Sequence, residues 1–371
     1  MLKQFLKSKC AYLPYKLWAN KYGPIYTFWM GECPIVTVTD YELMHEMFVK
    51  NGDAYVGRDF LNHLSKLVKV HTGSYGVIQT QGETWRIMRR FGLLSMKTLG
   101  VGKAGMEKQF KEDINEIINK LIENIKLNNG ENINLQMYID RLIDNEEINP
   151  ELNMDNFRAL CYDLLLAGQE TTGTTLSFLV LYLLLDQRVQ AKLHKELDNL
   201  TINDSISLAQ RPQANYTNAE VQRLCNLLPL NLSHKTMFDV KIMDGKYLLK
   251  EGTVVLPQIS CLLYNEKCNF ILFFHVFPNP HSFIPERFLD EKGQLKRFDS
   301  FIPFGLGKRA CMGESLARAE LFLFTANFFR NFQVLPVDPL NPPNSQKQKA
   351  FVVRPDPYNC RLIIRKKLLN L

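Results

Sequence analysis

Ten residues, Phe304-Gly305-Leu306-Gly307-Lys308-Arg309-Ala310-Cys311-Met312-Gly313, constrain this chain more than any other stretch. A helix must start almost at once after them. Leu316, Ala319, Phe322, Leu323 and Ala326 recur at helical spacing, which puts Cys311 just before or at a helix N-terminus. There the helix dipole, Lys308 and Arg309 are expected to favour the thiolate over the thiol. Gly305, Gly307 and Gly313 carry no Cβ, so the backbone can come close to a flat surface.

A single cysteine is ordinarily a small buried hydrophobe. The neighbours of Cys311 argue otherwise, because a thiolate beside an apolar, uncrowded face is what a haem iron takes as its fifth ligand. The pattern Phe-x-x-Gly-x-Arg-x-Cys-x-Gly, filled by Phe304, Gly307, Arg309, Cys311 and Gly313, resembles the haem-binding signature of the cytochrome P-450 superfamily. That resemblance implies Cys311 as the iron ligand and the other four as residues around the haem.

The chain has 371 residues, enough for one large domain or two ordinary ones, with 46% hydrophobic and 22% charged residues, an ordinary globular composition. The net charge of +7 fits either a solvated surface or a basic face for an acidic redox partner. Basic runs do not interleave with aromatics, so no nucleic-acid partner is expected. The eight cysteines are scattered without a Cys-x-x-Cys pair, which argues against structural zinc and a disulfide scaffold. No apolar run is long enough to span a bilayer, and the N-terminus reads as lacking a signal peptide or anchor.

Periodicity predicts mostly helix with a minor sheet. A short helix closes at Tyr22, before Gly23-Pro24, and alternation over 25–38 marks a β-hairpin. Asp40 caps a helix with Leu43, Met44 and Met47. Phe110, Ile114, Ile117, Leu121 and Ile125 mark a long amphipathic helix that stops at Asn128-Asn129-Gly130. Another runs from about Asn153 to Leu185, followed by one with Val189, Leu193 and Leu197. A further helix is expected from Asn218 to Pro229, then strand pieces over 231–265 with turns at Asp244-Gly245 and Glu251-Gly252, and a last strand at Leu362-Ile363-Ile364.

Within the 153–185 helix, Ala167-Gly168-Gln169-Glu170-Thr171-Thr172 gathers residues that helices disfavour. A local rule broken in mid-helix often serves a site. The run resembles the oxygen-activation motif of the same superfamily, which implies that Gly168 leaves space over the iron while Glu170 and Thr171 deliver protons to dioxygen. Further motifs follow in the family's order. Trp85 and Arg89 form Trp-x-x-x-Arg, and Arg89, His234 and Arg309 become contacts to the haem propionates. Glu220, Arg223 and Arg287 match a structural clamp of the family.

The resemblance runs from about Leu17 to Arg365 and is nearest to the animal microsomal group that hydroxylates drugs, steroids and fatty acids. It implies a mainly α fold with a minor β-sheet, and a monooxygenase acting on an apolar small molecule with dioxygen. Electrons would come from NADPH through a flavoprotein reductase, at the cytosolic face of the endoplasmic reticulum membrane. Without the anchor, a peripheral membrane contact or a cytoplasmic protein is the expectation for this chain. Residues 1–371 read as a single domain with two abnormal segments. The stretch between about 128 and 153 is too short for the helices that roof the family's substrate pocket, and 268–275 reads as an apolar insert. Both point to missed exons and a retained intron. The alternatives are a catalytically incompetent or misfolded product of a faulty gene model, and a haem protein that rearranges peroxides, against which Glu170-Thr171 argues.

Overall fold

Every side chain from Leu176 to Leu184 is buried, so this stretch presents no solvent face and other elements must surround it. The structure, a computed structural model, describes residues 12–58, 76–98, 104–128, 154–200, 205–211, 220–265 and 277–365. Among them the fold is mainly helical with small sheets. Helix α1 (Leu13–Tyr22) starts on Pro14 and ends at Gly23, whose φ is 97°. Strands β1 (Ile25–Met30) and β2 (Cys33–Val38) pair antiparallel from Ile25↔Val38 to Met30↔Cys33. Helix α2 (Tyr41–His45) is capped by Asp40, whose Oδ1 accepts from Leu43 N at 3.0 Å.

The larger helices are α3 (Gly82–Thr98), α4 (Ala104–Asn128), α5 (Met154–Leu185) and α6 (Gln187–Leu200). The predicted 218–229 helix is only α7 (Val221–Cys225), stopped by Asn226 in the left-handed region at φ 41°. Strands β3 (His234–Lys235), β4 (Val240–Ile242), β5 (Tyr247–Leu249) and β6 (Val254–Pro257) follow, with positive φ at Asp244, Gly245 and Gly252 in the two expected turns. Helix α8 (Glu314–Asn331) leads into β7 (Phe332–Pro336), which pairs with β8 (Cys360–Ile364). Strand β7 had no sequence signal of its own, because it follows α8 directly with no glycine or proline to mark the change.

The main sheet has the order β1-β2-β6-β3, with β2 and β6 parallel and β3 antiparallel to β6. The largest apolar cluster joins α5, α6, α8, β7 and β8 through residues such as Phe178, Leu181, Leu193, Phe322 and Phe328. A second cluster, with Met44, Met47, Phe48 and Tyr55, lies beneath the sheet. The shortened stretch between 128 and 153 and the 268–275 insert lie outside the described residues. Among those residues, no helix is long and apolar enough to cross a membrane.

The cysteine run touches this second cluster at Gly307. A Cβ there would lie 1.9 Å from the carbonyl oxygen of Phe48, and φ is 72°. Gly313 differs, with φ −88° and open space where a Cβ would sit. Gly307→Ala is therefore expected to lower the thermal midpoint sharply, by at least about 2 kcal/mol of stability, while Gly313→Ala leaves it nearly unchanged. Thermal unfolding of the two variants side by side checks this.

Candidate functional site

The cysteine loop is held by its own backbone. Gly305 and Gly307 take positive φ, 79° and 72°, and residues Gly307–Arg309 make one 3-10 turn. That geometry returns Cys311 N to the carbonyl of Phe304 at 2.9 Å. From α3, Arg89 donates its Nη2 to the carbonyl of Ala310 at 2.8 Å. The guanidinium of Arg318 lies 4.8 Å from the centre of the Phe304 ring. Cys311 is thus placed two residues before Gly313, the N-cap of α8, with its side chain accessible to solvent.

The charges around the sulfur differ from expectation. Lys308 pairs with Asp53 at the surface, and Arg309 turns away to the carbonyls of Val56, Val77 and Thr80. Neither cation serves Cys311. The protein packed around the accessible thiol pushes its pKa up. The backbone N–H of Gly313 and the charge of Arg89 oppose that push, and Glu314 adds to it. The cation that faces the sulfur is therefore Arg89, from a helix more than two hundred residues earlier in the chain.

Arg309 belongs to a second group. It lies over the ring of Trp85 at 4.1 Å, and burial with the neighbouring charges of Arg58 and Arg89 depresses its pKa. Arg58 is depressed by burial and by Arg89, to about 10. It donates to the carbonyl of Ser233. Next to it, His234 is buried and pushed well below the ordinary histidine range by burial first and Arg58 second. Its Nδ1 lies 2.7 Å from the carbonyl of Tyr55, so that nitrogen carries the proton and the neutral ring leaves Nε2 as an acceptor. Three arginines here repel one another, and the partners they meet are carbonyl oxygens. The indole N–H of Trp85 and Nε of Arg58 are buried without a hydrogen-bond partner among the described residues. A site of this kind is built for anions supplied from outside the chain.

The structure brings Trp85, Arg89, His234 and Arg309 close to one another and adds Arg58, which no sequence pattern marked. Its only local signal is Gly57, where a Cβ would meet the Lys235 carbonyl at 2.6 Å. That close approach pairs Gly57 with Lys235 and sets Arg58 beside His234.

The threonine-rich part of α5 stays helical. Thr171 Oγ1 donates to the carbonyl of Ala167 at 2.6 Å, and Thr175 Oγ1 to that of Thr171 at 2.7 Å, so each hydroxyl finds its partner one turn back. A Cβ on Gly168 would meet open space. Exposed Tyr162, Leu165 and Leu166 precede it on the same helix. Glu170 is bound by Arg354, whose Nε reaches Oε1 at 2.7 Å and whose Nη2 reaches Oε2. Asp163, also unmarked in the sequence, accepts from Val77 N and Ile78 N at 2.7 and 2.9 Å and so fixes the turn that Arg309 caps.

Glu220, Arg223 and Arg287 do form a clamp. Glu220 accepts from Arg223 Nε and Nη2 at 2.8 and 2.7 Å and from Arg287 Nε at 2.9 Å. The arginines then donate to the carbonyls of Leu263, Pro278 and Pro280. The clamp ties α7 to the loop that precedes the cysteine run. Removing the acid leaves two buried guanidinium groups uncompensated. Glu220→Ala is expected to cost about 3–5 kcal/mol, read as a large loss in denaturant midpoint.

The cytochrome P450 family description matches residues 2–138 and 104–362. Among curated proteins, the chain is 29% identical to cytochrome P450 2H1 of Gallus gallus over 420 aligned positions, covering 87% of this chain and 83% of that one. It is 28% identical to cytochrome P450 2C23 of Rattus norvegicus over 447 positions, covering 94% and 88%. A similar match is found with cytochrome P450 2C44 of Mus musculus, at 28% identity.

Proposed function

The chain belongs to the cytochrome P450 family, and we propose that it hydroxylates an apolar small molecule, a xenobiotic, steroid or fatty acid, with Cys311 as its iron ligand. Family membership makes it a haem-thiolate monooxygenase. Haem held by a cysteine thiolate would supply the activation of dioxygen, one oxygen atom entering the substrate and the other leaving as water. NADPH would supply electrons through a flavoprotein reductase at the endoplasmic reticulum membrane, as the resemblance to the animal microsomal group implies.

The residues of the site suit that group. A flat apolar ring with two carboxylates needs an accessible sulfur on one side, cations at one edge and uncrowded backbone over its faces. Cys311 is accessible. Arg58, Arg89 and Arg309 are cations whose mutual repulsion a pair of carboxylates would relieve. Trp85 offers a buried N–H that is otherwise unused. His234 could join them only as the imidazolium, and a carboxylate beside it would draw a proton onto Nε2. Gly168 and Gly313 leave open space where side chains would stand, and Phe304 and Gly307 shape the loop.

The observation that carries this reading is the shape of the cysteine loop. The Cys311–Phe304 backbone bond, the Gly307 contact with Phe48 and the Arg89–Ala310 bond hold the accessible sulfur on a rigid turn. Thr171 and Glu170 would hold and pass protons for dioxygen activation. A shortened roof goes with this reading. The alignments of 420 and 447 positions exceed the 371 residues of the chain, so these relatives carry segments without a counterpart here.

The reduced protein with carbon monoxide is expected to show the strongly red-shifted absorption of thiolate-ligated haem, and Cys311→Ala is expected to lose it. A band that survives the substitution overturns the assignment. Thr171→Ala should retain haem but divert reducing equivalents to peroxide, measured as peroxide formed per NADPH consumed.

A further inference from the structure

Glu170 is fixed from outside its own helix. Arg354 belongs to the segment between β7 and β8, and its planar fork meets both carboxylate oxygens. Thr174 Oγ1 also approaches Oε1, at 3.4 Å. The segment that carries Arg354 is fastened on several sides. Val353 is buried, and its N–H donates to the Leu227 carbonyl at 2.9 Å. Gln348 N donates to the Arg354 carbonyl at 2.8 Å, and Lys347 bridges to Pro355. Tyr358 donates its hydroxyl to the Ser177 carbonyl of α5 at 2.7 Å, two turns beyond Glu170.

The ion pair has little value as a staple. The Arg354 side chain is 58% exposed, and pairs of that exposure contribute little to stability. Its main consequence is geometric. A glutamate on a helix surface otherwise samples several rotamers, whereas a two-pronged guanidinium fixes the plane of the carboxylate. Oε1 receives two donors and Oε2 one, so Oε2 keeps the freer lone pair for a proton. Thr171 is positioned differently, by the Ala167 carbonyl of its own helix. The two members of the pair are therefore set independently, one by α5 and one by the C-terminal segment.

We propose that Arg354 is a positioning residue for the monooxygenase reaction: it holds the Glu170 carboxylate in the orientation from which that group passes protons. This rests on the reading of Glu170 as a proton-delivery group. The fork matters more than the charge, so a lysine restores the pairing only in part.

The test uses the haem-loaded full chain with Arg354→Met, Arg354→Lys, Glu170→Gln and the double variant Arg354→Met/Glu170→Gln. Arg354→Met is expected to lower product formed per NADPH on the order of tenfold, a fraction of the 10²–10⁴-fold that a positioned acid or base supplies. Arg354→Lys falls between it and the parent, and serves in its place should Arg354→Met fail to load haem. KM stays unchanged, and Arg354→Met has no further effect once Glu170 is glutamine. Infrared difference spectra against Glu170→Gln should show the carboxylate stretch of Glu170 shifted in Arg354→Met. The proposal is overturned by an undiminished effect of Arg354→Met in the Glu170→Gln background, or by a change confined to KM. Either result would make Arg354 a substrate contact. An unshifted carboxylate band overturns it as well. If Glu170→Gln alone leaves coupling intact, the proton-delivery reading fails, and the proposal falls with it even where the band shifts.

Discussion

The contact between Gly307 and the Phe48 carbonyl fixes the relation between the two halves of the site. Phe48 sits in the cluster under the main sheet, beside Tyr55 and His234. Gly307 sits four residues before Cys311. Because no side chain can fit between them, the cysteine turn lies directly on Phe48, whose ring packs against Tyr55 and His234. Arg309, in the same turn, then reaches the carbonyls of Val56, Val77 and Thr80. One backbone approach thus sets the distance from sulfur to cations, and the Arg89–Ala310 hydrogen bond fixes it from the α3 side.

Electrostatics give this arrangement its direction. Arg58, Arg89 and Arg309 crowd a region where carbonyl oxygens are their partners. Burying like charges together is unfavourable. Loss of an anionic ligand should therefore loosen this region before it loosens the α5–α6–α8 core, whose packing is apolar. Glu220 shows the opposite solution, with two arginines compensated inside the protein. The clamp balances its charges within the protein, whereas the partners of the cation edge are neutral carbonyls.

Much of this was legible in the sequence. The helical spacing after Cys311, the Gly-x-Arg-x-Cys order, the hairpin over 25–38 and the Asp40 cap each depend on neighbours within a few residues, and local pattern finds them. Contacts that depend on the tertiary fold were not legible. Lys308 read as a cation for the thiolate, yet Asp53, brought close by the packing of Gly52 against the Lys308 stem, takes it. Arg58 and Arg354 lie in no motif and acquire their roles from strand pairing and from a loop that folds back on α5. Strand β7 was hidden because it follows α8 with no glycine or proline between them. The helix after 218 stops early because Asn226 adopts a left-handed conformation.

X-ray absorption at the iron edge of the haem-loaded protein tests the central claim most directly. The account predicts one sulfur neighbour about 2.3 Å from the iron, a typical metal–thiolate distance, and its replacement by an oxygen or nitrogen neighbour in Cys311→Ser. A wild-type iron with only nitrogen and oxygen neighbours, or a sulfur that persists in Cys311→Ser, would contradict it.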